Sequence, residues 1–271
     1  MDSMPDVAIL CGGLGTRLQG VLGGVPKALA PVGGRPFLAG LIDELNGAGF
    51  ARCVLCVGVG ASQIRQALGA RPGIVFSEES SPLGTGGALA LARERAGSDP
   101  VLVMNGDSTV PGLDWSGLVR SYDSGLAAGV IVLVPRDART DSGVVRLDGA
   151  GRVSASAEKA ELPGETYQSA GIYLLSRCLL DLIPAGRPCS LERDLMPRWI
   201  EAGLRGYVHP GRLMDIGTPE RLAQAQAESQ AKASVGGSLR IPRAELASPA
   251  ARRSPPTSDQ RERPSEKWRA T

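Results

Sequence analysis

Short apolar runs alternate with segments of helical spacing along the first hundred residues, and this alternation constrains the fold most. The apolar runs occupy residues 7–11, 53–57, 74–77 and 101–105. The segments with helical spacing occupy residues 35–45, 62–68 and 84–95. Strand and helix in this order predict a mostly parallel sheet with helices on both faces, which is a three-layer α/β/α architecture.

The pattern changes beyond residue 105. Four further apolar runs, separated by short intervals and turn residues, predict an added antiparallel section that makes the sheet mixed. These runs lie at residues 129–134, 144–147, 153–155 and 170–175. Helices are expected at residues 191–202 and from Thr218-Pro219-Glu220 through residue 228.

Residues 236–271 have a different composition from the rest of the chain. They lack hydrophobic periodicity, contain several prolines among Ser and Arg, and carry twice as many basic as acidic residues. Such a segment cannot bury enough apolar surface to offset the entropy of ordering. We therefore predict one folded domain over residues 1–235 and a disordered basic tail over residues 236–271.

Composition excludes several classes of protein. The formal net charge of +2 does not favour a nucleic-acid binder, and the apolar stretch at residues 126–134 is too short to span a membrane. Five unclustered cysteines and an acidic, polar beginning predict a cytoplasmic protein. Cys53 and Cys56 lie in one apolar run, where an extended strand points them to opposite faces.

A glycine-rich segment follows the first apolar run directly. Residues 10–18 are Leu-Cys-Gly-Gly-Leu-Gly-Thr-Arg-Leu, and Pro26-Lys27 come soon after. Glycines let backbone N–H groups surround a polyphosphate closely. Arg17 can then bind phosphates as a fork and Lys27 as a point charge. The alternative is a glycine-rich turn with two surface cations.

Two common phosphate-binding motifs are absent from this segment. There is no G-x-x-x-x-G-K-[ST], which disfavours a P-loop NTPase. Leu18 stands where the third glycine of G-x-G-x-x-G is needed, which disfavours an NAD-dependent dehydrogenase. The single histidine, His209, has no accompanying G-x-S-x-G, so a serine hydrolase is also disfavoured.

Residues 10–18 with Pro26-Lys27 resemble the L-x-G-G-x-G-T-R-L…P-K signature of the sugar-1-phosphate nucleotidylyltransferases. The resemblance covers most of residues 7–230 and continues in the family's order through further blocks. These are Pro82-Leu83-Gly84-Thr85-Gly86-Gly87-Ala88, Asn105-Gly106-Asp107-Ser108, Ser142-Gly143-Val144-Val145, Glu158-Lys159, Ser169-Ala170-Gly171-Ile172-Tyr173 and Asp215-Ile216-Gly217-Thr218-Pro219. Ser169 replaces a commoner Asn, and Ala28 a commoner Pro.

The resemblance implies a Rossmann-like fold of the nucleotide-diphospho-sugar transferase type, and transfer of a nucleotidyl group from an NTP to a sugar 1-phosphate with release of pyrophosphate. It assigns catalysis to Arg17, Lys27 and Asp107. It assigns nucleotide binding to Leu10, Gly12, Gly13, Gly15, Thr16, Glu79, Gly84 and Thr85. It assigns sugar-phosphate binding to Gly143, Glu158, Lys159 and Gly171. It assigns Mg²⁺ to Asp107 and Asp215.

The chemistry of single residues agrees with these assignments. Asp107 follows the run at residues 101–105, at the carboxyl end of a predicted parallel strand, where open α/β sheets bind ligands. Mg²⁺ is usually held by one or two carboxylates and phosphate oxygens. A carboxylate at Glu79 accepts hydrogen bonds from guanine N1–H and N2–H₂. Each of the acids Asp107, Asp215 and Glu79 has an alternative interpretation as a cap, turn or loop residue.

With Ser190-Leu191-Glu192-Arg193-Asp194, the blocks most resemble guanylyltransferases for D-glycero-α-D-manno-heptose 1-phosphate. The predicted substrates are GTP and a manno-configured sugar 1-phosphate. The alternatives are a UDP- or dTDP-sugar pyrophosphorylase, a mannose-1-phosphate guanylyltransferase, transfer to a non-sugar phosphate, and a non-catalytic nucleotide-sugar-binding protein. Neither nucleic acid nor membrane is an expected partner, and assembly into a homo-oligomer stays open.

Overall fold

The computed structural model describes residues 4–13, 15–123, 125–139, 141–158 and 160–237. Lys159 and residues 238–271 lie outside this part of the chain. Nearly all of the predicted tail is therefore outside the described residues, whereas its first two residues, 236 and 237, belong to the last helix.

The strands are β1 (Val7–Leu10), β2 (Pro31–Val32), β3 (Arg35–Pro36), β4 (Cys53–Val57), β5 (Ile74–Glu78), β6 (Val101–Asn105), β7 (Ser108–Thr109), β8 (Gly129–Pro135), β9 (Gly143–Leu147), β10 (Val153–Glu158), β11 (Tyr167–Leu175), β12 (Leu204–Val208) and β13 (Met214–Asp215). The α-helices are α1 (Gln19–Leu22), α2 (Phe37–Gly47), α3 (Ala61–Leu68), α4 (Gly84–Ala92), α5 (Trp115–Ser121), α6 (Arg177–Asp181), α7 (Met196–Glu201) and α8 (Pro219–Gly237). Short 3₁₀ turns span Thr16–Leu18 and Lys27–Leu29, and a π-helical turn spans Leu191–Leu195.

The central sheet is mixed, as predicted. Strands β6, β1, β4 and β5 are parallel neighbours in that order. The order continues beyond β6 through β11, which pairs antiparallel with β6, β8 and β9. A parallel pairing of β12 with β8 was not predicted from the sequence. The α/β class and the added antiparallel section at β8 to β11 are thus confirmed.

Apolar side chains of the sheet alternate between two buried layers. In β1, Val7 and Ile9 face the layer that contains α2 and α3, whereas Ala8 faces the layer that contains α4 and α7. Cys53 and Cys56 likewise lie in opposite layers, as their spacing in a strand predicts. Both layers are closed by helices, which confirms the three-layer architecture.

Two small elements bring distant parts of the chain to the end of the parallel strands. Strand β7 pairs antiparallel with β13, so Asp215 lies opposite Ser108. The N–H of Ile216 donates to the carbonyl of Asp107 at 3.0 Å. Helix α8 then packs Leu222 into a small core with Leu18, behind the glycine-rich segment. This packing connects the last helix to the first loop.

Element boundaries differ from the prediction where tertiary contacts decide them. The helix expected at residues 191–202 begins as the π-helical turn and continues as α7. Helix α8 continues past residue 228 to Gly237. Trp115 and Trp199 are buried packing residues. None of the described helices is both long enough and apolar enough to cross a bilayer.

Candidate active site

Two cavities meet beyond the carboxyl ends of β1 and β6. The glycine cavity, of about 460 Å³, is lined by Leu10, Gly12, Gly13, Gly15, Glu79, Gly84 and Thr85, among others. The charged cavity, of about 300 Å³, is lined by Arg17, Arg139, Asp141, Gly143, Glu158, Gly171, Asp215 and Arg221, among others. Both cavities are also lined by Lys27, Asn105, Asp107 and Glu192. Two ligands bound side by side would meet at these four residues.

The glycine-rich segment places Lys27 at this junction. Gly15 adopts a left-handed conformation with φ of 55°, and a Cβ on it would lie 3.1 Å from Cβ of Lys27. Glycine therefore allows the loop to close against Lys27. The Lys27 ammonium is hydrogen-bonded to Oδ2 of Asp107, which joins the two predicted catalytic residues. Thr16 is exposed and, unlike Gly15 and Arg17 on either side of it, lines neither cavity.

The opposite wall of the glycine cavity is held together by hydrogen bonds. Oε2 of Glu79 accepts from the N–H of Leu83 at 3.0 Å, which orients this carboxylate beside the cavity. Thr85 Oγ1 accepts from the N–H of Leu191 at 2.8 Å and donates to Glu192 at 3.2 Å. Burial and the nearby charge of Glu79 raise the pKa of Cys56 to about 12. The hydrogen bonds therefore hold the cavity wall in one arrangement, and the raised pKa keeps the Cys56 thiol neutral.

Asp215 is held by donors on three sides. Its Oδ1 accepts from the N–H of Gly217 at 2.8 Å and from Nη1 of Arg221 at 3.2 Å. Its Oδ2 is paired with Arg139. Arg139 also contacts Asp137 at 2.7 Å and donates to the carbonyl of Leu213 at 2.9 Å. The Asp215 side chain is only 12% exposed, so these donors fix its orientation.

Asp141 connects this group to Arg17. Arg221 binds both oxygens of Asp141, and Nη1 of Arg17 donates to its Oδ2 at 3.0 Å. The Arg221 guanidinium, followed by the charge of Arg17, lowers the pKa of Asp141 below its ordinary value. The carboxylate therefore stays ionised throughout the neutral range.

Three of the four predicted sugar-phosphate residues line the charged cavity, and the fourth lies outside the described residues. Gly143, Glu158 and Gly171 line it, whereas Lys159 belongs to the part of the chain that is not described. Gly171 has a φ of 67° and approaches the side-chain amide of Asn105 so closely that a Cβ would lie 2.3 Å from Nδ2. Ser169 Oγ, at the position of the commoner Asn, accepts from the N–H of Gly171 at 3.2 Å.

The side chains of the site that sequence reasoning missed include Asn105, Arg139, Asp141, Glu192 and Arg221. Glu192 lies in the Ser190–Asp194 block, whose resemblance to the family was a usable signal. Arg221 follows Asp215 by six residues at the start of α8, as a continuation of the last block. Arg139 and Asp141 come from the loop between β8 and β9, where charges without periodicity gave no signal.

The two predicted metal ligands are compatible with Mg²⁺. Asp107 and Asp215 line the same cavity, and β7 and β13 bring their segments together. No group of three or more His, Cys, Asp or Glu ligands occurs in the described residues. Mg²⁺ is commonly bound by one or two carboxylates together with phosphate oxygens. Asp107 and Asp215 can supply the carboxylates, and a bound substrate would supply the phosphate oxygens. Both acids are paired with cations, Lys27 for Asp107 and two arginines for Asp215.

A family comparison agrees with this geometry. Residues 7–232 match the model of the family described as "Nucleotidyl transferase". The chain belongs to this family. The match spans the parallel strands, both cavities and most of α8.

Individual members of the nucleotidyl transferase family are similar over most of the chain. The mannose-1-phosphate guanylyltransferase of Mycobacterium tuberculosis is 33% identical over 82% of this chain, which spans 64% of that relative's length. The D-glycero-alpha-D-manno-heptose 1-phosphate guanylyltransferase of Aneurinibacillus thermoaerophilus is 29% identical, with 83% of this chain and 98% of the relative covered.

A solved structure extends the comparison. HddC from Yersinia pseudotuberculosis has a TM-score of 0.70 and 30% identity, covering 83% of this chain and 99% of HddC. A second structure of HddC contains GMP-PN. The shared fold is the nucleotide-diphospho-sugar transferase type that the sequence resemblance implies.

Proposed function

We propose that this protein transfers GMP from GTP to a sugar 1-phosphate, giving a GDP-sugar and pyrophosphate, with D-glycero-α-D-manno-heptose 1-phosphate as the preferred acceptor. The observation that carries the proposal is the pair of adjoining cavities that share Lys27 and Asp107. One cavity has a glycine-rich floor suited to a nucleotide, and the other is rich in arginines suited to a sugar phosphate. Two anionic substrates would then meet at the shared residues.

The chain's contribution is positioning and charge neutralisation. A phosphate oxygen of the sugar phosphate attacks the α-phosphorus of the nucleotide in line, and pyrophosphate leaves. Lys27 stands at the junction, where it can neutralise the phosphate that is attacked. Arg17, with its side chain 57% exposed at the cleft, can bind the departing pyrophosphate. Phosphoryl-type transfer depends largely on such positioning and electrostatic stabilisation, without a protein nucleophile.

Asp107 and Asp215 are the residues that would hold Mg²⁺ in this proposal. The ion supplies charge neutralisation for phosphate oxygens when it is bound. Lys27 compensates Asp107, and Arg139 and Arg221 compensate Asp215, so these cations would give up part of their contacts when the ion binds. The acids are therefore held ready in the cleft without repelling each other.

Guanine specificity is supported by Glu79 and by the relatives. The Leu83 N–H engages one Glu79 oxygen, and the carboxylate lines the glycine cavity, where guanine N1–H and N2–H₂ can donate to it. Similar proteins include guanylyltransferases, and the HddC structure contains a guanine nucleotide. A UDP- or dTDP-sugar pyrophosphorylase is therefore a weaker alternative.

The heptose substrate is supported by the heptose-specific relative, of which 98% is covered by this chain. Mannose 1-phosphate is the second candidate, because the mannose-1-phosphate guanylyltransferase is 33% identical. Glu158 and Glu192, which both line the charged cavity, can accept hydrogen bonds from sugar hydroxyls.

A substrate panel tests the proposal. Pyrophosphate release is measured for four NTPs crossed with the 1-phosphates of D-glycero-α-D-manno-heptose, mannose, glucose, N-acetylglucosamine and N-acetylmuramate, in the presence of Mg²⁺. We expect the highest kcat/KM for GTP with the heptose. Higher values with mannose would establish the second candidate, and higher values with UTP or dTTP would overturn guanine specificity. Absence of release with every pair would contradict transfer itself and favour a non-catalytic binding protein.

A further inference from the structure

Arg17 reaches across the cleft to a residue that no sequence motif includes. Its side chain leaves the glycine-rich segment and donates from Nη1 to Asp141, in the loop between β8 and β9. Within the described residues, this is the one side chain with which Arg17 forms an ion pair. Arg17 lines the charged cavity together with Lys27 and Asp107, and it does not line the glycine cavity. Its direction is therefore set by Asp141.

Asp141 is itself fixed by a helix. Arg221 of α8 binds Asp141 through both guanidinium nitrogens, with Nη1 at 3.2 Å and Nη2 at 2.5 Å. The Arg221 and Asp141 side chains are 22% and 25% exposed, so this fork is partly protected from solvent. A bidentate fork restricts the carboxylate in orientation as well as in distance. Arg17 thus binds to an acceptor that is already in place.

The same arginine joins this acceptor to Asp215. Nη1 of Arg221 also donates to Oδ1 of Asp215 at 3.2 Å. Opposite charges consequently alternate without interruption through Arg17, Asp141, Arg221, Asp215 and Arg139. Loss of the central negative charge at Asp141 would leave two guanidinium groups facing each other, and their repulsion would displace the more exposed one, Arg17.

We propose that Asp141 is a positioning residue that holds Arg17 at the wall of the charged cavity, which Arg17 shares with Lys27 and Asp107, with Arg221 as its anchor. This inference rests on the proposed function, because Arg17 is assigned there to the departing pyrophosphate. Asp141 touches neither reacting group in this assignment. It acts by confining a long, flexible and otherwise exposed side chain to one direction.

A double-mutant cycle tests the proposal. The variants are Asp141→Asn, Arg17→Ala and the double substitution, assayed for kcat and for the KM of each substrate. We expect Asp141→Asn to lower kcat between about 10-fold and 100-fold, the loss that a misplaced group causes. In the Arg17→Ala background the same substitution should cause no further loss, because its target is gone. Asp141→Glu, which keeps the charge, should recover part of the rate.

Asp148→Asn is the matched control. Asp148 pairs with Arg152 at 3.1 Å in the turn between β9 and β10, lines neither cavity and should leave kcat unchanged. An Asp141→Asn enzyme with parental or higher kcat would overturn the proposal, and higher kcat would mean that Asp141 withholds Arg17. Equal losses from Asp141→Asn with and without Arg17 would also overturn it, because they indicate a general structural role.

A second readout needs no turnover. Phenylglyoxal modifies accessible arginines, and mass spectrometry of the peptide that contains Arg17 gives its modification rate. We expect faster modification of Arg17 in Asp141→Asn than in the parent or in Asp148→Asn. If Asp141→Asn leaves the modification rate of Arg17 unchanged, the proposal is contradicted, whether or not the substrate panel shows activity. Inactivity of the parent on every substrate pair, with faster Arg17 modification, would contradict only the proposed function.

Discussion

The glycine cavity and the charged cavity are built in different ways. The glycine cavity uses backbone from contiguous motifs that begin at the ends of β1 and β5. The charged cavity uses long side chains from segments far apart in the chain, such as Arg17, Asp141 and Arg221. Backbone shape follows from local sequence, whereas an ion-pair network exists only after the fold has formed. The two sides should therefore respond differently to substitution.

The shared residues should show the largest effect. Replacing Lys27 or Asp107 by Ala should lower kcat by about 10² or more, as loss of one preorganised charge-stabilising group does. Both halves of the site lose their common contact, so neither higher GTP nor higher sugar phosphate should restore the rate. Steady-state kinetics with each substrate varied measures this. Turnover within tenfold of the parent would show that the cavities do not meet where the geometry places them.

The charged cavity should depend on its ion pairs for stability. Arg139→Gln leaves Asp215, which is 12% exposed, without one of its cations. We expect the free energy of unfolding to fall by about 2 kcal/mol, between the values for surface and buried pairs. Urea denaturation measures the change. Arg136→Gln is the control in the same region, because its partner Glu161 is 71% exposed and the loss of this solvent-screened pair should lower stability less.

Equal losses in the free energy of unfolding for Arg139→Gln and Arg136→Gln would show that burial of the Asp215 pair adds nothing to its contribution to stability.

The glycine cavity should lose affinity without losing stability. A Cβ on Gly13 meets no atom within 4 Å, and the backbone there needs no positive φ. Gly13→Ala should therefore fold normally, while its methyl group blocks close approach of a nucleotide. We expect the KM for GTP to rise about tenfold, equivalent to about 1.4 kcal/mol, with the KM for the sugar phosphate unchanged.

Gly149→Ala, at an equally open position outside both cavities, should leave both KM values unaltered. A normal KM for GTP in Gly13→Ala would mean that no nucleotide approaches this loop.

The smallest effect concerns Glu44, which contacts β7, the strand that pairs with β13. Glu44 accepts hydrogen bonds from Trp115 Nε1 at 3.2 Å and from Thr109 of β7, and burial raises the pKa of Glu44. In the range above its ordinary pKa, the folded protein holds more protons at Glu44 than the unfolded chain does. This group therefore lowers the free energy of unfolding as pH rises through its raised pKa.

Glu44→Gln removes this titration and keeps an oxygen acceptor for Trp115. We expect the stability of the variant relative to the parent to be greater at pH 7 than at pH 4, by urea denaturation at both values. If the free energies of unfolding of the variant and the parent differ by the same amount at both pH values, the titration of Glu44 does not affect stability.

Fold prediction succeeded where one residue's environment follows from its neighbours in sequence. Strand β6 was predicted with its observed bounds, because residues 101–104 are continuously apolar and Asn105 follows them at the end of the strand. The π-helical turn at residues 191–195 was missed, since its Leu191 N–H is bonded to Thr85 in a remote segment. Lys159 and nearly all of the predicted tail lie outside the described residues, and those predictions stand untested.

By itself the sequence determined the α/β layers, the glycine-rich loop and the acids at the ends of strands, because these depend on local periodicity and on residue types with few conformational alternatives. Tertiary structure alone decided that Arg17 pairs with Asp141 and that Asp215 is held by Arg139 and Arg221. Charged side chains are long and interact with whatever the fold brings within about 4 Å, so their partners are not encoded in spacing along the chain.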